Sequence, residues 1–416
     1  MANTFKFGNK QWYGKKGSVL AYNDENNNFK PLPFAFTRAS SATRVDENGL
    51  IEVVGSNEPR IDYLNNADGH LLLEPSRTNV NTYSEDGSEW DWIQGAISLD
   101  SSAIAPDGDS GVYKFTDNTV DGQHRVTIRG QVTDTLEYTF SSFVKLVEGS
   151  DVTKIYLLFT TGFNTERYYF DLENGTTLDT GNTGHSIEDY GNGWYRVIAT
   201  STATSTTNAI FGVNLTEGGT TYEGTGNGSI LVWGAQVEQG SYATSYIPTS
   251  GSAVTRAAET CDINVTNFSE NIFPANSHTL FVDIDVLADP ESTSSVLKTE
   301  NGLMTSEGGY RLRKSTVAAS VIGITTHTLS GFVSINSTGQ LYDDNKGRIK
   351  IALKKDSDTV SGAMNGSIET LLSTFGSWNN DDFGIRFVPS VVAMKIHKSL
   401  IYNTALTDAE LIALTS

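Results

Sequence analysis

The sequence predicts an all-β protein. Glycine is abundant at 39 residues, proline is scarce at 9, and Thr, Ser and Asn recur throughout. That composition suits strands joined by tight turns. Short stretches alternate apolar with polar residues, as in Val282, Ile284 and Val286 against Asp283 and Asp285, which is the period of a strand with one buried face. The reading divides the chain into an extended N-terminal segment (1–80), a first β-sandwich (81–250) and a second β-sandwich (253–416) that closes on a short helix.

Residues 1–80 are irregular, with Phe5, Phe7, Trp12 and Tyr13 as anchors. Asp46 to Gly49 reads as a turn between two short strands, because Asn48-Gly49 supplies the positive φ that a hairpin needs. Arg38, Arg44, Arg60 and Arg77 punctuate this segment. Their forked guanidinium groups bind carboxylates in pairs and would staple a loop-rich segment together.

In the first sandwich, Tyr138–Lys145, Arg167–Leu172 and Gly193–Ala199 read as strands. Lys154–Thr160 is almost continuously apolar, which predicts a strand buried on both faces. The run from Ile230 closes the unit, and strict alternation puts Leu231, Trp233, Ala235 and Val237 on one side. Pro248 to Ser252 then reads as a joint between two independently folding sandwiches. In the second sandwich Ile349, Ile351 and Leu353 alternate with basic residues, and Met394 and Ile396 with Lys395 and His397. Asn365-Gly366 marks a hairpin tip, and Thr407 with Glu410 forms a capping box for the final helix.

Charge narrows the function. The net charge is −20, and residues 81–254 hold 22 acidic against 7 basic side chains. Nucleic-acid binding needs a basic footprint, so it is not expected. No stretch reaches the ~18 apolar residues of a membrane span, so membrane insertion is not expected either. Met1-Ala-Asn-Thr-Phe-Lys6 lacks a secretory apolar region, which leads us to expect synthesis in a cytoplasm. Cys261 is the sole cysteine and reads as a buried, inert thiol.

Motifs for catalysis are thin. Gly108-Asp-Ser-Gly111 lacks the second glycine and the nearby histidine of a serine-protease site. Gly224-Thr-Gly-Asn-Gly228 resembles a phosphate loop, but a strand follows instead of a helix, so it reads as a turn. Glycoside hydrolysis would need two carboxylates facing across a cleft, and no hydrolase motif marks such a pair. Asp107 and Asp109, with Asp100 nearby, are calcium candidates, and Asp381-Asp382 is a second, since hard cations prefer oxygen ligands. No other cofactor is expected. Exposed aromatics are the glycan-binding candidates. Trp378 sits in a polar loop-like stretch with Asn379, Asn380, Asp381 and Asp382, and Trp90 and Trp92 lie two apart, hence on one face if they are in a strand. Trp194 and Trp233 read as core.

Several stretches carry a resemblance. "FTRASSATRVDENGLIE", "PRIDY" and "LLLEPSRTN" resemble an N-terminal module of bacteriophage virion proteins. "YTFSSFVK", "FDLENGTTL", "GNGWYRV" and "GAQVEQGSYATSYIPTSGSAVTRAAE" look like the jelly-roll module of phage fibre proteins. "RIKIALKKDSDTVSGAMNGSIETL" and "AMKIHKSLIYNTALTDAELIAL" are similar to a concanavalin-A-like, or laminin-G-like, lectin sandwich. The resemblance implies a non-catalytic structural protein of the virion, a tail fibre or head fibre. It implies attachment to other virion proteins through residues 1–80, a homo-oligomer, most often a trimer, and lectin-like carbohydrate binding to host surface glycans. The alternatives are a polysaccharide depolymerase and a capsid decoration protein with no ligand.

Overall fold

The computed structural model describes residues 4–8, 12–23, 28–178, 181, 184–263, 277–286, 295–300, 310–314, 322–328, 331–335, 347–357, 359–371, 383–387 and 393–416. The fold is all-β, and the one α-helix among the described residues is Asp408–Thr415. The chain forms two compact units that do not follow its linear order. One comprises Met1–Ser41, Val54–Ser76 and Ala257–Ser416, and the other Ala42–Val53 and Arg77–Arg256. Compactness thus divides residues 1–80 between both units instead of setting them apart.

The unit around Arg77–Arg256 is a sandwich of two six-stranded antiparallel sheets. The first runs Asp91–Ile93, His124–Val132, Thr207–Thr216, Lys154–Thr160, Glu166–Asp171, Thr176–Leu178. The second runs Gly95–Ile104, Ser110–Asp117, Ser229–Gln239, Glu137–Leu146, Trp194–Thr202, His185–Asp189. Between the sheets lie Phe115, Phe140, Phe159, Phe170 and Phe211 with their aliphatic neighbours. Lys154–Thr160 occupies an interior position in its sheet, and its residues from Ile155 to Phe159 are all buried, as their apolar run predicts. The stretch read as a joint is bound into this same unit. Asn79 donates to the Ile247 carbonyl at 2.9 Å, the Thr249 amide donates to Ser84 Oγ at 2.8 Å, and Tyr83 pairs with Ser250.

Strict alternation fails along Ser229–Gln239. Ile230 and Val232 face the inter-sheet core, and so do Ala235 and Val237. Leu231 and Trp233 therefore belong to the opposite, outer face, which corrects the expectation that Leu231, Trp233, Ala235 and Val237 share one side. The cause is a β-bulge. The register against Glu137–Leu146 shifts between Ser141 and Phe143, and Gly234 takes φ +62° at that point.

The other unit holds Ser277–Val286 between Gly347–Asp356 and Met394–Tyr402. The far edge of Met394–Tyr402 is covered by His70–Leu73 and by Thr4–Gly8. Phe281, Ala352, Ala363, Leu400 and Leu411 form a core there, the last from the C-terminal helix. Thr407 Oγ1 accepts from the Glu410 amide while the Glu410 carboxylate accepts from the Thr407 amide, so the expected capping box is present. Asn365 and Gly366 both have positive φ at a hairpin tip. Arg38 and Arg60 meet Glu259 in a fully buried cluster, with Glu74 on Arg60, whereas Arg44 pairs with Glu52 within its own hairpin in the unit around Arg77–Arg256. Cys261 is buried, and burial, reinforced by Asp262 and Glu259, raises its thiol well above the ordinary range.

Candidate functional site

The bulge at Gly234 positions a cleft. By turning Trp233 away from the inter-sheet core it sets an aromatic cluster on the outer face of the second sheet, where Trp233 and Trp194 are nonetheless buried, as expected of core residues, at 4% and 2% exposure. The Phe143 ring lies 5.3 Å from Trp233 and 4.8 Å from Tyr190, and Trp233 lies 4.7 Å from Tyr246. The Arg196 guanidinium caps Phe143 at 5.4 Å and donates to Ser141 Oγ at 3.0 Å. Gly234 is required here, because a Cβ would stand 2.7 Å from the Phe143 ring.

Next to this cluster, three adjacent strands present a row. Lys145 is in register with Leu231 on one side and with Trp194 on the other. That row floors a cleft of about 440 Å³. One wall is Ser102–Pro106, which Trp194 Nε1 holds by donating to the Ile104 carbonyl at 3.0 Å. A second wall is the hairpin tip at Gly49 and Leu50, tied to the first wall where the Ile51 amide donates to the Pro106 carbonyl at 2.9 Å. The third is the turn Tyr190 to Asn192. Gly191, Asn192 and Gly193 all take positive φ, near +78°, +53° and +78°. Glycine and asparagine tolerate that conformation best, which explains the sequence Gly-Asn-Gly at this tight reversal. The Lys145 stem passes over Gly193, where a Cβ would meet Lys145 Cε at 3.4 Å.

The rim offers an amide from Asn192, an ammonium from Lys145 and the Ser102 hydroxyl, which donates its proton to Asp100 Oδ1 at 2.7 Å and so is left as an acceptor. The floor is formed by Leu231, 7% exposed, and by Lys145. Apolar contact beneath a few convergent polar groups is how a small polar ligand is oriented. No carboxylate lines this cleft.

Other expected site residues lie apart. Trp378, Asn379, Asn380, Asp381 and Asp382 fall outside the described residues. Trp90 and Trp92 do not share a face. Trp90 ends the short 3-10 helix Gly87–Glu89 and is 4% exposed in the sandwich core, its Nε1 donating to the Tyr83 carbonyl, whereas Trp92, in the edge strand Asp91–Ile93, is 47% exposed. Helical residues before Asp91 break the alternation that a continuous strand would impose. Asp107 accepts from the Asp109 amide at 3.0 Å, and its carboxyl is pushed up by burial and by Asp109. Among the described residues no group of three or more His, Cys, Asp or Glu side chains could hold a metal ion. Gly224 to Gly228 is organised by Asp117, whose carboxylate accepts from the Thr225, Gly226 and Gly228 amides and the Tyr222 hydroxyl.

No family model matches the chain, and no curated protein matches it. Among solved structures it is similar to a Ruminococcus gnavus IT-sialidase CBM40, at 16% identity over 34% of this chain and 84% of that one, with a TM-score of 0.27. It is also similar to a CBM22 tandem domain of Paenibacillus barcinonensis Xyn10C, at 10% identity over 79% and 98%, TM-score 0.27. A third is Trypanosoma rangeli sialidase, at 10% identity over 99% and 98%, TM-score 0.28. At such scores these likenesses carry no functional argument, and the cleft is interpreted from its own residues.

Proposed function

We propose that this protein is a non-catalytic appendage of a virion, a tail or head fibre, which holds a host-surface saccharide in the cleft above Leu231, Lys145 and Trp194. One observation carries the binding role: a walled cleft of about 440 Å³, with an apolar floor and a polar rim, on the outer face of a rigid sheet. A cleft of this size takes a small ligand such as a short saccharide. Sugars present apolar C–H faces and hydroxyl edges, which match that floor and that rim. The non-catalytic reading is supported by the lining, because hydrolysis of a glycosidic bond draws on two carboxylates and the cleft contributes none. The virion assignment is supported by the phage-like motifs from Phe36 to Asn79 and from Gly234 to Glu259.

The test is retention of the purified full-length protein on an array of bacterial surface glycans. The wild type should be retained, and Ser102→Trp, which fills the cleft from an exposed wall position, should be lost at unchanged melting temperature. Release of reducing ends from the retained glycan would contradict the non-catalytic reading.

A further inference from the structure

We infer that the cleft selects an acidic saccharide, one whose carboxylate pairs with the Lys145 ammonium; this rests on the saccharide reading above. The surroundings of the cleft make the case. Residues 81–254 carry 22 acidic and 7 basic side chains, so a groove in this stretch would more often hold an acid than a base. This one does not. Lys145 is its sole charged lining residue, and no Asp or Glu lines it. The other titratable lining group, Tyr190, is hydrogen-bonded to the Arg196 guanidinium. Among the described residues no carboxylate lies within ion-pairing distance of Lys145, whereas Arg129 of the same unit pairs with Asp91, and Arg44 with Glu52.

The position of Lys145 is built. Its backbone is held between two strands, and its stem lies over Gly193, in a turn of three left-handed residues. The stem is thereby guided along the cleft floor, which lowers the entropy lost when the ammonium takes a partner. Lys145 is half-buried beside apolar Leu231, and a charge-assisted hydrogen bond from its ammonium is stronger than a neutral one. The acidic surroundings repel anions at long range, but that repulsion is screened over about 8 Å at physiological salt. Pairing inside the cleft acts at contact, so selection is local while the surface at large stays non-adhesive to polyanions.

The experiment uses the full chain on an array of matched pairs, each a uronate-containing glycan beside its carboxyl-reduced counterpart. The wild type should prefer the uronate member by about tenfold. Lys145→Met should erase the preference and Lys145→Arg should keep it, both melting like the wild type. Ser102→Trp should abolish retention on both members. Equal wild-type retention within pairs, lost in Ser102→Trp, would overturn the acidic selection while leaving the cleft as a saccharide site. A uronate preference unchanged in Lys145→Met would overturn the role of Lys145. Retention indifferent to Ser102→Trp, or no retention at all, would overturn the saccharide reading and this inference with it.

Discussion

The Arg60 guanidinium donates from Nε to Glu259 Oε1 at 2.8 Å, and neither side chain touches solvent. Glu259 also accepts from Arg38 Nη1 at 2.8 Å and from the Glu74 amide at 2.8 Å. Burial works against the Arg60 charge, but Glu259 and Glu74 more than offset it and hold its guanidinium above the ordinary range. One carboxylate thus anchors two buried cations drawn from segments far apart in the chain. Removing it leaves the two buried cations with Glu74 alone, on Arg60, so that one buried charge goes uncompensated, which costs far more than the net worth of an ion pair. Glu259→Gln should therefore lower stability by about 3–5 kcal/mol in chemical denaturation of the full chain. A loss below about 1 kcal/mol, the value of a surface pair, would refute this account of the cluster.

The same unit should lose stability on acidification. His70 is 1% exposed, and its ring lies 5.4 Å from that of His397. Asp62 Oδ1 stands 3.4 Å from His70 Nε2 and by itself would favour the imidazolium. Burial opposes it, joined by Lys395, His397, Arg60 and Arg348, and these hold the imidazole well below its usual range. We take burial as decisive, because 3.4 Å is long for a charge-assisted bond. Unfolded, His70 takes a proton near pH ~6.5; folded, it resists. Its contribution is present above about pH 6.5 and declines as pH falls through the window beneath. Melting temperature should drop between about pH 7.5 and pH 5.5, and His70→Gln should flatten that slope. Parallel profiles for the two proteins would remove His70 from the explanation.

Two glycines with positive φ should respond differently to alanine. At Gly234 a methyl group meets the Phe143 ring at 2.7 Å, while at Gly226 nothing lies within 4 Å. Gly226→Ala should cost about 1–2 kcal/mol of backbone strain. Gly234→Ala adds overpacking and should cost about 2–4 kcal/mol. It should also weaken glycan retention, because the bulge sets the outer face of the sheet. Equal losses at the two positions would mean that the Phe143 contact does not matter.

A fragment beginning at residue 253 should not fold alone. Met394–Tyr402 would lose both His70–Leu73 and Thr4–Gly8 and be left with a long open edge. Circular dichroism and thermal unfolding of residues 253–416 should show no cooperative transition. A sharp one would show that the N-terminal strands are dispensable.

Local signals were readable in the sequence. Asn48-Gly49, Asn365-Gly366 and the Thr407–Glu410 box each act within four residues, and each appears where its turn chemistry or capping predicts. The long apolar run of Lys154–Thr160 likewise forecast its burial on both faces. What escaped was set by distance along the chain and by one bulge. Glu259 meets Arg60 199 residues away. The floor of the cleft joins Leu231, Lys145 and Trp194, and no spacing rule links them. Alternation read through Gly234 put Trp233 on the wrong face, although a glycine inside a strand run is itself a bulge signal. The Gly191-Asn192-Gly193 turn drew no reading beyond the start of a strand at Gly193, and its role as a wall depends on the loop opposite.

The most direct test of the central claim is a crystal structure of the protein with an array-selected saccharide bound. The account predicts the sugar ring over Leu231 and the Lys145 stem, with hydroxyl or carboxylate groups within hydrogen-bonding distance of Lys145 Nζ and the Asn192 side chain, and a sugar hydroxyl donating to Ser102 Oγ. A saccharide bound at Trp92 or at Trp378, with the cleft above Lys145 empty, would contradict it.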